Sequence, residues 1–258
     1  MSVLFQDVVF GPVSSRRLGV SLGVNLLPVE AKFCTFNCVY CECGWTHEKS
    51  MHGTRLPGRE EVLAKLEEKL KSMKSAGTRP DAITFAGNGE PTIHPQFPEI
   101  LEEVIRLRDE YFPGSVVSVL SNSSTLDKPE VFKALLKTGN SIMKLDAGTE
   151  NMFRLINGPR SGITLKSIVE KLKAFNGELI IQTLFLRGTI DGKKIDNTAE
   201  PEISRWMEHI RAIRPKYVMI YPIDRATPLE TLEKVSFDEL RAIAARVEKM
   251  GIKAQVYY

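Results

Sequence analysis

The sequence predicts an α/β protein: a partial (β/α)6 TIM-like barrel of parallel strands plus a terminal strand, formed as a single domain over residues 1–258. Three observations carry this. Short runs rich in Val, Ile, Leu and Tyr alternate with stretches of helical periodicity, the pattern of right-handed crossovers onto a parallel sheet. Seven such strand-like runs give six β/α units and a last strand, short of an eight-unit barrel. Finally, 258 residues, 43% of them hydrophobic and 26% charged, can bury one large core without disulfides, and no repeat or Pro/Gly-rich linker divides them.

The strands are expected at Leu18–Leu27, Ala82–Ala86, Val116–Ser121, Ile142–Asp146, Leu179–Phe185, Tyr217–Tyr221 and Ile252–Tyr257, each bounded by turn residues. After the first comes a loop, residues 32–44, and then the longest gap before a helix. Val62, Leu63, Leu66, Leu70 and Met73 mark the first helix, and Phe97, Ile100, Leu101, Val104 and Ile105 the second. Leu165, Ile168, Val169, Leu172 and Phe175 repeat the spacing, as do Ile203, Trp206, Met207, Ile210 and Ile213, with Trp206 and Met207 read as core. Phe237, Leu240, Ala244 and Val247 mark the last helix. In this architecture functional residues belong at the carboxyl ends of the strands.

Thirty-five Lys and Arg against 32 Asp and Glu leave a net charge of +3, compatible with an anionic substrate and unlike a dedicated nucleic-acid binder. Met1–Phe10 lacks a basic n-region and carries Asp7, so it does not read as a signal peptide. No apolar run approaches the roughly 18 residues of a membrane span. A cytoplasmic protein with no membrane partner is expected. The four cysteines, Cys34, Cys38, Cys41 and Cys43, lie within ten residues, whereas a secreted framework spreads them to tie distant loops.

The spacing C-x3-C-x2-C places three thiolates on one compact loop. Soft thiolates select iron–sulfur clusters, zinc or copper(I). Cys34, Cys38 and Cys41 can hold three irons of a cubane and leave the fourth open; with Cys43 as a fourth ligand the alternative is structural zinc, although Cys41-x-Cys43 is tight for a tetrahedral site. Polar residues cluster where the strands stop. The second ends in Gly87-Asn88-Gly89-Glu90-Pro91-Thr92, glycines that let backbone approach a ligand and a carboxylate beside them. The third ends in Ser121-Asn122-Ser123-Ser124, the fourth in Lys144-Leu145-Asp146, which puts Lys144 and Asp146 on one face. The fifth carries Gln182 and Thr183, and the sixth ends in Tyr221-Pro222-Ile223-Asp224-Arg225.

Arg16, Arg17, Lys193, Lys194 and Arg225 either line an anionic substrate path or are solvated surface, and the loop Arg187–Ala199 is a candidate lid or phosphate-contacting edge. His47, His52, His94 and His209 lack partners at metal spacing. Trp45 either shields the cysteine loop or packs.

The C-x3-C-x2-C loop with Tyr40 before its last cysteine, together with Gly87-Asn-Gly-Glu-Pro91, resembles the radical S-adenosylmethionine (SAM) superfamily over about residues 10–258. With Phe10-Gly-Pro-Val-Ser-Ser-Arg-Arg-Leu-Gly19, these motifs resemble the iron–sulfur oxidoreductases similar to the wybutosine-synthesis enzymes of tRNA modification. The resemblance implies one 4Fe–4S cluster on Cys34, Cys38 and Cys41, with SAM chelating its open iron. It implies that Glu90 and the backbone of Gly87, Asn88 and Gly89 hold the SAM amino group, and that Tyr40 lies near the adenine. Ser121 and Asn122 become ribose or carboxylate contacts, with Gln182 and Asp146 as further ones. The implied activity is reductive cleavage of SAM to a 5′-deoxyadenosyl radical that abstracts hydrogen from a small molecule or modified RNA base, fed by an electron donor such as flavodoxin or ferredoxin. Archaeal wybutosine-type enzymes carry extra cysteines for a second cluster. Here only Cys43 remains, so no second cluster is expected, and Cys43 reads as a bystander or an active-site thiol. Two alternatives stand beside this reading: an activating enzyme for a glycyl-radical partner, and a non-catalytic zinc- or cluster-binding module.

Overall fold

A computed structural model describes residues 3–47 and 54–258. Strands β1 (Val9–Ser15), β2 (Gly19–Val24), β3 (Ala82–Phe85), β4 (Val116–Ser121), β5 (Asn140–Lys144) and β6 (Ile180–Ile190) lie side by side in that order, followed by β8 (Tyr217–Pro222) and β10 (Lys253–Val256). From β2 to β10 every pairing on this path is parallel. These seven strands are the expected six β/α units and terminal strand. The sheet does not close: β1 stands at one edge, antiparallel to β2, and β10 at the other.

Helices cover the outer face: α1 (Arg59–Ser75), α2 (Phe97–Tyr111), α3 (Pro129–Leu135), α4 (Glu150–Asn157), α5 (Leu165–Lys173), α6 (Glu200–Ile213) and α7 (Phe237–Glu248). Three of them start on a side-chain cap. Thr149 and Thr164 cap α4 and α5 through their side chains, and Ser236 with Glu239 forms a capping box on α7. Register puts Leu22, Ile83 and Val117 on the outer face, and Val24, Phe85 and Val119 one pleat further on. All six are buried in the main core with Leu66, Ile100, Leu172, Trp206 and Leu240 from the helices. The inner face has its own apolar floor of Ile142, Ile180, Met219 and Tyr257, against which Leu18 packs from the β1–β2 turn. Above that floor the same face turns polar, since Lys144 is in register with Gln182.

Three differences from the sequence expectation have physical causes. The strand expected over Leu18–Leu27 is the shorter β2, and β1 precedes it unannounced: an edge strand with a mostly exposed Gly-Pro-containing stretch shows no clean alternation. Helices α3 and α4, seven and eight residues long, are shorter than the window of about 11 residues over which a helical period is read. The stretch Arg187–Ala199, expected as a loop, is instead a ribbon. Strand β6 runs on to Ile190, turns at Asp191-Gly192, both at positive φ, and pairs with β7 (Lys193–Asp196), while β9 (Leu232–Lys234) also pairs antiparallel with β6. Among the described residues no helix is long and apolar enough to cross a membrane.

Candidate active site

The carboxyl ends of the parallel strands open on a cavity of about 670 Å³ whose wall includes all four cysteines. The cysteine loop is stitched to its surroundings by backbone. Phe33 N–H donates to Asn88 O at 2.8 Å and Glu90 N–H to Phe33 O at 3.1 Å, a parallel bridge between the loop and the Gly-Asn-Gly-Glu turn. Gly89 is essential to it: at φ +143° a Cβ would lie 1.9 Å from Phe33 O. On the other side Asn37 and Val39 N–H bond the carbonyls of Asn157 and Ile156, which the end of α4 leaves without intrahelical partners.

Cys34 and Cys38 are buried. Phe36 N–H and Asn122 Nδ2 point at Cys34 Sγ at 3.4 and 3.5 Å, and Asn157 Nδ2 points at Cys38 Sγ at 3.4 Å. Burial pushes the Cys34 thiol up to about 12 and raises Cys38 too, with Lys32 acting against the rise in both. Cys41 goes the other way, to about 5, chiefly because the Cys43 thiol hydrogen-bonds it, and Cys43 is raised in turn. The Cys43 proton has a second acceptor, Gly87 O at 3.6 Å. Lys32, which sequence reasoning passed over, is 4% exposed, and its Nζ donates to Gly44 O at 2.8 Å. No carboxylate lies within ion-pair distance of it among the described residues. A buried ammonium without a carboxylate is costly unless another anion sits beside it. Two buried thiols that accept N–H groups, on a loop that also buries such a cation, fit an anionic thiolate-bound group. No three His, Cys, Asp or Glu side chains among the described residues converge on one point as a single tetrahedral zinc ion demands.

Glu90 is 2% exposed and faces the cavity. One oxygen accepts from Thr92 N–H and hydroxyl at 3.2 and 2.5 Å, the other from Asn122 N–H at 2.5 Å. Burial raises its pKa and these donors oppose the rise. Gly87, Gly89, Ser121, Asn122, Gln182 and Tyr40 also line the cavity. Asn88 and Asp146 do not. The Asn88 amide is a rivet for the amino-terminal segment, bonded to Phe5 N and O and to Pro28 O. Asp146 accepts from the Tyr40 hydroxyl, from Asn157 Nδ2 at 2.8 Å and from Leu184 N–H at 3.0 Å, and pairs with Lys144 at 3.5 Å. Its carboxylate ties the cysteine loop to β5, α4 and β6. Burial holds the Tyr40 hydroxyl well above its ordinary range, and Asp146 adds to this. Lys144 donates to that hydroxyl at 2.6 Å.

Arg16, Arg17 and Arg225 reach the cavity, while Lys193 and Lys194 are exposed on the ribbon. His94 and His209 bond the carbonyls of Pro57 and Gly148. Trp45 and His47 line a second hollow of about 440 Å³ on the outer side of the cysteine loop. His52 lies outside the described residues.

An open parallel sheet whose strand ends face a three-cysteine loop is the architecture of radical SAM proteins. The Radical SAM superfamily model matches residues 31–199, and the chain belongs to that superfamily. It is 32% identical over 212 residues to a UPF0026 protein of Methanocaldococcus jannaschii, a match covering 81% of this chain and 61% of the relative. A Brachyspira hyodysenteriae protein named GTPase Obg is 30% identical over 236 residues, which span 90% of this chain and only 32% of the relative. In fold, a radical SAM methyltransferase from Sphaerobacter thermophilus superposes with a TM-score of 0.67 at 15% identity, covering 92% of this chain and 66% of that one. Archaeal TYW1 does so at 0.52 and 16% identity, covering 89% and 71%. Membership implies SAM and an iron–sulfur cluster as the cofactors, and an enzyme of this superfamily.

Proposed function

We propose that the chain binds one 4Fe–4S cluster on Cys34, Cys38 and Cys41, binds SAM beside it, and removes a hydrogen atom from a substrate in the same cavity. One observation carries this: three cysteines of a single loop and the buried Glu90 carboxylate share the wall of one cavity at the carboxyl ends of the strands. When bound, the cluster supplies the electron that cleaves SAM to methionine and the 5′-deoxyadenosyl radical that takes the substrate hydrogen.

The chain's own residues bind, orient and shield. Glu90, its oxygens held by Thr92 and Asn122, offers fixed negative charge to the SAM ammonium. Gly87 and Gly89, both at positive φ, let the turn press against Asn25 and the Phe33 carbonyl and so seat Glu90 beside the cysteine loop. Ser121, Asn122 and Gln182 present hydroxyl and amide groups to ribose or carboxylate. Tyr40, anchored by Asp146 and Lys144, supplies an aromatic wall. Enclosure keeps water from reactive intermediates. A one-electron donor such as flavodoxin or ferredoxin is the partner this reaction requires, and the substrate is a small molecule or a modified RNA base.

The test is anaerobic. Protein reconstituted with iron and sulfide is mixed with dithionite and SAM, and 5′-deoxyadenosine is measured by mass spectrometry. Wild type and Cys43→Ala form it and retain iron, while Cys38→Ala loses both. Equal iron loss in the two variants, or one zinc per chain in place of iron, overturns the assignment.

A further inference from the structure

Among the described residues, two cations on the cavity wall have no carboxylate partner, Lys32 and Arg17. Lys32 belongs to the cysteine loop, beside the thiols. Arg17 belongs to the β1–β2 turn, and its guanidinium enters the cavity at Gln182, which is in register with Lys144. Its neighbours are spoken for: Arg16 pairs with Asp224 at 2.8 Å and Arg225 with Glu42 at 2.7 Å. Arg17 Nη1 donates to Gln182 Oε1 at 2.7 Å, and the guanidinium carbon lies 4.6 Å from the centre of the Tyr221 ring. Both partners are neutral. Gln182 is fixed within β6 and Tyr221 within β8, so amide and ring hold the guanidinium in one orientation. Its remaining N–H groups make no other hydrogen bond among the described residues, and its side chain lines the cavity that the cysteines line.

A guanidinium held in place, partly buried and matched only by neutral groups retains its full attraction for an anion. Its planar fork fits the two oxygens of a carboxylate or phosphate. Because the orientation is already set by Gln182 and Tyr221, little rotamer freedom is lost on binding. We propose that Arg17 recognises an oxyanion, a carboxylate or a phosphate group, on the substrate, and so defines the substrate class as anionic. This rests on reading the cavity as the reaction chamber described above. The anionic group docks against the guanidinium where Gln182 and Tyr221 hold it.

Calorimetric titration of the cluster-reconstituted protein with inorganic phosphate and, separately, succinate tests this at constant ionic strength, which screens surface attraction equally in all samples. Wild type binds at least one probe. Arg17→Met weakens that binding by about tenfold or more, Arg17→Lys keeps part of it through its charge, and Lys193→Met, on the exposed ribbon, leaves it unchanged. Preference for phosphate or for succinate identifies which oxyanion the site takes. Iron content and circular dichroism establish that Arg17→Met is folded; if it is not, Arg17→Lys carries the comparison with a loss of several fold. No binding of either probe by wild type, equal binding by the Arg17 variants, or equal loss in Lys193→Met overturns the proposal. No reductant is present, so this failure is distinct from failure of SAM cleavage, which the 5′-deoxyadenosine assay reads.

Discussion

Two buried carboxylates in this chain do different work. Asp146 spends both oxygens inside the protein, on Tyr40, Asn157, Leu184 and Lys144, and never reaches the cavity. Glu90 is also fully donated to, but its carboxylate forms part of the cavity wall. Every partner of Glu90 donates, so Glu90→Gln must turn an NH2 toward one of those donors while removing the charge. We expect Glu90→Gln to bind SAM about tenfold or more weakly, measured by equilibrium dialysis, with iron content as in wild type. Unchanged SAM affinity would remove Glu90 from the proposed site. Cys43 illustrates the same point at a thiol: it donates to Gly87 O at 3.6 Å, 44 residues away, an arrangement that spacing alone does not reveal.

Among the elements, the cysteine loop is held less by its own sequence than by two neighbours. It borrows the Gly87–Glu90 turn on one side and the carbonyl end of α4 on the other. The Phe33–Gly89 bridge is the tighter contact, since any side chain at 89 meets the Phe33 carbonyl. Gly89→Ala should therefore lower unfolding free energy by about 3 kcal/mol or more, from positive-φ strain and displaced backbone. Urea denaturation of the metal-free protein measures it, and an unchanged midpoint would mean the bridge does not hold the loop. Sequence named both partners of this bridge as site segments. What it did not show was that they touch, because an isolated bridge between two loops leaves no periodic trace. The short helix α4 escaped notice for a related reason: Met152, Phe153 and Ile156 share its buried face, but eight residues fall short of the window over which a helical period is read, and its role is its end.

For the molecule as a whole, an open sheet needs its outer face covered and its inner face filled separately. The outer face depends on large side chains bridging helix to strand. Trp206 of α6 is 1% exposed, meets Phe185 edge-on at 5.3 Å and donates its indole N–H to Leu145 O at 3.1 Å. Trp206→Ala should cost about 3–5 kcal/mol in urea denaturation; a loss below about 1 kcal/mol would mean that α6 is not seated on the sheet through this residue. The inner face is shallower, an apolar floor with Leu18 of the β1–β2 turn resting on it. That turn carries Arg16 and Arg17 across the cavity to β8 and β6, so the antiparallel edge strand β1 serves the site by holding the turn in place.

By itself the sequence determined the strand–helix alternation, the six units and last strand, the three-cysteine loop and the polar strand ends, because each is a short-range pattern or a cluster of unusual residues. The family resemblance added Asp146 and the backbone of Asn88 to the ligand contacts. Only the tertiary structure decided that both are tied up inside the protein, that Lys32 is a buried cation at the thiols, and that Arg17 meets Gln182, 165 residues away. Those outcomes depend on which polar groups find partners once the chain has closed, and burial makes that distinction while spacing along the chain does not.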